Sequence, residues 1–486
     1  MYILWFDDIT LKDKLLVGGK NASLGELKKV PGIQVPPGFA VTTDGFKAFL
    51  THNNLEEKIQ KVLDASRTGQ LASLQKAGAT LRKLFLNGEF PVDVKQEILH
   101  AYRELGRQTG AKHPDVAIRS SATAEDSSEA SFAGEYDTYL HISGETQVLE
   151  AIKKCFASLF TDRSLSYRLD TGYAKTEIFL AVTVQQMVRS DLGASGVMFT
   201  LDTETGFDKA LVISSSYGLG ELVVQGSVIP DEFVVFKPLV EKKFPAIISK
   251  KLGEKKTKLV YSQTKTKSVP VPERDRNTLS LSDTEVLTLA KWGMAIEQHF
   301  SKRTGKNQRM DMEWARDGKT KKLYILQARP ETVHSNTSND TRKEYRLQKT
   351  SHVLATGTAV GTRIGIGKVR VLRSPEDMHA FRDGEILVAR TTNPDWEPIM
   401  KRASGIITDQ GSRTSHAAIV SRELGIPAIV GALTATKQLK TGDAVTIDCS
   451  SGEQGKIYSG ILSFEICETH QKPVPQTRTS VMLNIG

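Results

Sequence analysis

Residues 405–431 set a short apolar run, a glycine turn and a helix in immediate succession, and no other stretch narrows the possible folds of this chain as much. Gly405-Ile406-Ile407 has the length and composition of a buried strand. Gly411 lets the backbone turn, and Thr414 or Ser415 can cap a helix whose Ala417, Val420 and Leu424 fall on one face. Gly425 and Pro427 end that helix. His416 therefore sits in the first turn, where free N–H groups and the positive end of the helix dipole disfavour imidazolium and favour an attached anion. A neutral imidazole is a nucleophile. The chemistry these residues point to is a phosphohistidine at His416, with Arg413 and Arg422 as flanking cations. A histidine alone at a helix cap is more often an ordinary surface residue, so the rest of the chain must supply its context.

A length of 486 residues is too great for one core and implies two to four domains. Lys and Arg exceed Asp and Glu by 65 to 56, a formal charge of +9. No zinc-finger spacing or RNA-binding aromatic pattern accompanies that charge, which excludes the common nucleic-acid readers; anionic phosphate substrates and solvated lysines explain it. Cys155, Cys449 and Cys467 follow no disulfide framework, as expected in a reducing compartment. The start Met-Tyr-Ile-Leu-Trp-Phe-Asp-Asp is too short an apolar run for a secretory signal, and no window has the length to cross a bilayer. The expectation is a cytoplasmic protein without nucleic-acid or membrane partners.

Earlier in the chain, Val17-Gly18-Gly19-Lys20-Asn21 opens a helix after an apolar stretch. The glycines admit close backbone approach and Lys20 brings a mobile charge, so this start can hold a phosphate, although it is not a Walker A sequence. Residues 54–110 have helical periodicity. Val116-Ala117-Ile118-Arg119 reads as a strand with Arg119 at its end, placed for a bidentate phosphate contact, and Ser131-Phe132-Ala133-Gly134 as a covering turn. Val182 to Val188, including Gln186, is strand-like, and Ser195 to Thr200 is expected to continue the same sheet. A glycine-rich turn ends at Glu221, which with Gln225 is a candidate for ribose or purine contacts. Lys250, Lys251, Lys255, Lys256 and Lys258 lack interleaved aromatics and read as the solvated face of an exposed hairpin.

Asp311-Met312-Glu313-Trp314-Ala315 and Leu323 to Glu331 alternate as two antiparallel strands joined across Asp317-Gly318-Lys319. A period of two puts Asp311 and Glu313 on one face, and Gln327 and Arg329 likewise. Two carboxylates, an amide oxygen and an arginine facing one cleft make a magnesium-triphosphate site, since Mg²⁺ prefers hard oxygens and leans on substrate phosphates. Arg329 can stabilise charge on a transferring phosphoryl group. The chain then turns polar, and residues 336–350 read as a linker that when extended spans on the order of 50 Å. A compact glycine-rich β/α unit occupies 351–465, and 466–486 is polar again before a last apolar run.

The segment Thr-x-His-Ala-Ala-Ile-Val-x-Arg-Glu-Leu-Gly-Ile-Pro-Ala around His416 resembles the phosphohistidine motif of the phosphoenolpyruvate-utilising enzymes. Gly-Gly-Lys-Asn, the Arg119 strand and the Asp311 to Arg329 pair are similar to the nucleotide-binding domain of the dikinases in that family, and the likeness runs from Gly18 to Gly486. One departure is Gly411-Ser412, where many members have two glycines; serine fits only if residue 412 avoids positive φ. The resemblance implies a multi-domain α/β protein. It comprises an ATP-grasp domain over 1–335, a swivelling β/β/α phosphohistidine domain over 351–465, and at 466–486 the start of an absent barrel that binds phosphoenolpyruvate and pyruvate. It implies Mg²⁺ on Glu313, Gln327 and Asp311, and the triphosphate of ATP held by Lys20, Arg119 and Arg329. Gln186 and Val188 would lie at the adenine. The family reaction turns ATP, pyruvate and water into AMP, phosphoenolpyruvate and phosphate through a phosphohistidine at His416. This chain is expected to perform the ATP half, with the barrel supplied in cis or in trans and a homo-oligomer at full length. The competing expectations are a rifamycin phosphotransferase, which needs a substrate domain where this chain has about 15 residues, and a truncated, non-catalytic phosphocarrier.

Overall fold

The computed structural model describes residues 1–65, 71–123, 137–162, 164–165, 179–242, 244–262, 265–331 and 341–470. Five antiparallel strands, β1 (Ile3–Trp5), β2 (Gly38–Val41), β3 (Val116–Ala122), β4 (Thr138–Ile142) and β5 (Leu180–Gln186), form a first sheet in the order β1-β2-β5-β3-β4. Strand β3 is buried along its whole length. Its alternation explains how: Val116, Ile118 and Ala122 enter a core built by the surrounding helices, while Ser121 on the opposite face bonds the Lys14–Leu27 helix. That core is rich in aromatic contacts, with Phe46, Phe49, Phe85 and Phe156 packed ring against ring, each burial contributing about 1.5–3 kcal/mol. The helices Leu55–Ala65, Leu71–Asn87 and Val92–Thr109 account for the periodicity of 54–110.

Strands β6 (Ala194–Phe199), β7 (Ala210–Tyr217), β8 (Asp231–Phe236) and β9 (Ile247–Lys251) are followed by a hairpin of β10 (Thr257–Ser262) and β11 (Lys265–Pro270), then by β12 (Met310–Arg316) and β13 (Leu323–Pro330). The second sheet has the order β13-β12-β6-β7-β8-β9. One of its faces is covered by the Asp283–Thr304 helix, which begins in a capping box between Ser282 and Glu285. The expectation that Ser195 to Thr200 continues the sheet of Val182 to Val188 is corrected: β5 and β6 lie in different sheets. The turn Ser190–Leu192 and the close approach of Gly193, where a Cβ would stand 2.2 Å from the Arg316 carbonyl, redirect the chain between them.

Lys255 also departs from its expected place. It is fully buried in an ion pair with Asp231, whose other oxygen accepts from the Ser280 amide and hydroxyl at 2.7 Å each. A carboxylate buried at the start of β8 requires a counter-charge, and Lys255 folds inward to supply it. Lys250 and Lys256 remain on the surface in ion pairs.

The linker expected over 336–350 is partly a strand, because β14 (Thr341–Leu347) pairs along its length with the last strand of the domain that follows. Strands β15 (Val353–Val360), β16 (Ile364–Val371), β17 (Ile386–Ala389), β18 (Gly405–Thr408), β19 (Ala428–Val430), β20 (Ala444–Asp448) and β21 (Gln454–Ser459) close into a barrel before β22 (Phe464–His470) returns to β14. Polarity hid β14 because a two-stranded ribbon needs no apolar face. The covering turn at 131–134 and the final apolar run at 481–485 lie outside the described residues.

Candidate active site

Between the second sheet and the barrel lies a pocket lined by Asp311, Glu313, Gln327 and Arg329 on β12 and β13, by Val197, Phe199 and Val224, and by Thr414 and Ile419 of the barrel domain. The strand register builds its polar wall. Asp311 stands opposite Arg329 and Glu313 opposite Gln327, so the period-two expectation holds across both strands. Asp311 is taken by the arginine: Arg329 donates from Nε at 2.8 Å and its Nη2 lies 2.7 Å from the same oxygen. Burial pushes the Asp311 carboxyl up while Arg329 pulls it down. Glu313 and Gln327 are the oxygen donors that face each other across the strands, and their hard ligands suit Mg²⁺. Among the described residues, no three His, Cys, Asp or Glu side chains converge as a metal cage.

The first sheet brings its own cations to this wall. Arg119 lies in the middle of β3 and not at its end, 9% exposed, with Nη1 3.8 Å from Glu313 Oε2. Its Nε and Nη1 have no hydrogen-bond partner. Lys20 Nζ reaches the carbonyl of Ser120, the next residue of β3, at 3.1 Å. The helix that carries Lys20 is broken at Gly18, whose φ of +75° and proximity to Ser121 admit no side chain: a Cβ would lie 2.2 Å from the Ser121 carbonyl. Gly18 thus lets the second glycine and Lys20 restart the helix against β3.

His416 is the first residue of the His416–Leu424 helix, with Ser415 as N-cap and Gly425 in the left-handed conformation at the C-terminus. The Ser415 hydroxyl donates to the Ser412 carbonyl at 2.8 Å and leaves the helix amides uncapped. Gly411 carries the turn at φ +114°, while Ser412 is not among the residues of positive φ, so serine is accommodated there. The imidazole is held at one nitrogen: Nδ1 lies 3.2 Å from the Thr392 hydroxyl, while Nε2 is buried without a hydrogen bond, 3.8 Å from Glu397. Neither neighbour was expected from the sequence, because nothing local links 392 or 397 to 416. Glu423, further along the same helix, keeps part of its surface in solvent, yet burial pushes its carboxyl up to about 7; Arg329 opposes this, and Glu397, Glu331 and Asp311 add to it.

Arg413 and Arg422, expected to flank an anion at His416, are engaged elsewhere. Arg413 pairs with Glu453 at 3.1 Å, and Arg422 pairs with Glu204 of the second-sheet domain. Other contacts seat the barrel on that domain: Thr414 shares a hydrogen bond with Ser214 at 2.9 Å, Ile419 packs with Val197, Phe199, Val223 and Val228, and Gly226 abuts Ser415. Lys20, Arg119 and His416 lie outside the pocket lining itself, and so do Gln186, Val188, Glu221 and Gln225. Gln186 ends β5 opposite Val116, with Val188 just beyond, and Glu221 accepts from Gln225 at 2.8 Å on one short helix.

Two facing antiparallel sheets followed by a helix-bearing barrel define an ATP-grasp domain joined to a phosphohistidine-type domain. Residues 14–349 match the pyruvate phosphate dikinase AMP/ATP-binding domain and residues 381–452 the mobile domain of PEP-utilising enzymes, and the chain belongs to this dikinase family. It is 48% identical to the phosphoenolpyruvate synthases of Aquifex aeolicus and Synechocystis and 43% identical to that of Escherichia coli. In each case all of this chain is matched, against 58%, 60% and 61% of the relative. The chain thus spans about three fifths of the length of the curated relatives it matches.

Proposed function

We propose that this chain is the ATP-using part of a phosphoenolpyruvate synthase, a pyruvate, water dikinase. The observation that carries the reading is the pocket itself: the Glu313–Gln327 and Asp311–Arg329 pairs are roofed by Thr414 and Ile419, which flank His416 in sequence. Lys20, Arg119 and Arg329 hold the triphosphate by charge-assisted bonds, Gln186 and Val188 meet the adenine, and Glu221 and Gln225 the ribose. Glu313 and Gln327 hold Mg²⁺, with Asp311 behind Arg329; the ion, when bound, neutralises charge on the phosphate oxygens.

His416 attacks the β-phosphorus. An N–P bond forms, the bond from that phosphorus to the α-bridging oxygen breaks, and AMP leaves. Water then cleaves the β–γ link of the pyrophosphohistidine, releasing phosphate and leaving a phosphohistidine. The mobile domain of this chain carries that group, and its transfer to pyruvate we assign to the part of the relatives that this chain does not span. Strand β14, which leads into the barrel, pairs with β22, which leaves it, and in this reading both belong to the mobile unit. We place the protein in the cytoplasm, in keeping with three free cysteines and with the lack, among the described residues, of any helix long and apolar enough to cross a membrane.

Incubation with ATP labelled at the β-phosphorus tests the reading. Wild-type protein acquires an acid-labile label that His416→Ala lacks; an unlabelled wild type overturns the assignment.

A further inference from the structure

Glu204 stands in the turn between β6 and β7, on the nucleotide domain, and its backbone amide is fixed by Asp202 at 2.8 Å. Its carboxylate reaches out of its own domain. One oxygen pairs with Arg422 Nη2 and the other accepts from the Gly361 amide at 3.1 Å. Arg422 in turn donates to the Arg413 carbonyl at 2.6 Å, three residues before His416. A single carboxylate therefore grips the barrel at Gly361 and the helix that carries His416, and through Arg422 it is linked to the loop that leads into that helix. The side chains of Arg422 and Glu204 are 7% and 15% exposed.

We infer that Glu204 is the docking residue that seats the phosphohistidine helix over the nucleotide pocket, and so a positioning residue for the charging step. The inference rests on the proposed function. A buried ion pair gains Coulomb energy but loses hydration on both sides, so it selects one geometry strongly while adding little net affinity. That balance suits a carrier that must leave. Among the described residues a second ionic bridge between the domains, Lys251 to Glu453 at 2.8 Å, joins side chains 51% and 70% exposed and is screened by salt. Glu204 makes the more buried contact of the two.

Two substitutions divide the role. Glu204→Gln keeps an acceptor for the Gly361 amide and loses the charge facing Arg422; Glu204→Ala loses both. Glu241→Ala, exposed on the same domain, is the control. Both Glu204 variants are expected to slow ATP-dependent labelling of His416 at least tenfold at saturating ATP, with ATP affinity by calorimetry unchanged. Small-angle scattering is expected to show a larger radius of gyration for both variants and none for the control. Wild-type labelling rates in the Glu204 variants, or an unchanged radius of gyration, overturn the inference. A wild type that takes no label removes the proposed function instead, and the scattering comparison then still decides whether Glu204 docks the barrel. If Glu204→Ala fails to fold, the Glu204→Gln pair of measurements carries the decision.

Discussion

Arg119 and Glu313 face each other across the two sheets of the nucleotide domain, with Nη1 of the arginine 3.8 Å from Oε2 of the glutamate. The separation is too long for a hydrogen bond, and two guanidinium nitrogens are buried without one. Charge so placed raises the free energy of the empty site and lowers that of an occupied one. Arg119→Met removes a buried cation with unmade hydrogen bonds, so it is expected to leave thermal stability unchanged or raise it by about 1 kcal/mol, while weakening ATP binding at least about tenfold, or 1.4 kcal/mol. Denaturation and calorimetry on the same samples check both signs; a less stable variant with normal ATP binding would make Arg119 a structural residue.

Glu313 and Gln327 are directly opposed in register. Glu313→Gln is expected to lower the apparent Mg²⁺ affinity of the nucleotide complex on the order of 10–100-fold, measured by Mg²⁺ titration of ATP binding. Asp311→Asn acts by another route, because its carboxylate holds Arg329. It should weaken ATP binding with a smaller change in the Mg²⁺ dependence.

At Gly18 both conformation and space forbid a side chain. Gly18→Ala is expected to cost about 1–3 kcal/mol in backbone strain alone, and more from the clash with Ser121, with loss of ATP binding as Lys20 is displaced. Gly32→Ala provides the comparison: its φ is +79° but nothing lies within 4 Å of the added methyl. It should cost only about 1 kcal/mol and bind ATP normally. Equal effects at the two glycines would refute the role given to Ser121.

Lys255 is fully buried against Asp231. Lys255→Met strands a carboxylate in the interior and is expected to destabilise by about 3–5 kcal/mol, read as a lower urea midpoint. Lys256→Met, on the surface beside Glu254, should change stability by less than about 1 kcal/mol.

In the barrel, Arg370 donates to both oxygens of Glu385, at 2.9 and 2.6 Å, and these bonds hold the carboxyl below its ordinary 4.5. A depressed acid contributes stability that is present above the unfolded value and lost as pH falls through the folded one. Wild type is therefore expected to exceed Glu385→Gln by up to about 1 kcal/mol at neutral pH, and the gap should close below pH 4.5. A gap that widens in acid would reverse the assignment.

Much of this was legible from local pattern. The helix from His416 to Leu424 and its stop at Gly425 follow from periodicity and the glycine stop over a dozen residues, although the expected side-chain cap is not made. The face shared by Asp311, Glu313, Gln327 and Arg329 follows from the period of a strand and one short turn. These are short-range rules, and they act on residues close in sequence. Lys255 shows where such rules stop, since its neighbours are polar and charged and only the distant Asp231 makes it a core residue.

Local pattern alone determined the β12–β13 pair and the helix that begins at His416, and the likeness of the sequence motifs pointed to the family that the comparisons show. Tertiary structure decided that the sheets of β5 and β6 are separate, that Arg119 meets Glu313, that Thr392 holds the His416 ring with Glu397 near it, and that Arg422 serves Glu204. The reason is separation along the chain. Glu204 and Arg422 are 218 residues apart, and no periodicity spans such a distance; only the packing of one domain on another brings their charges together.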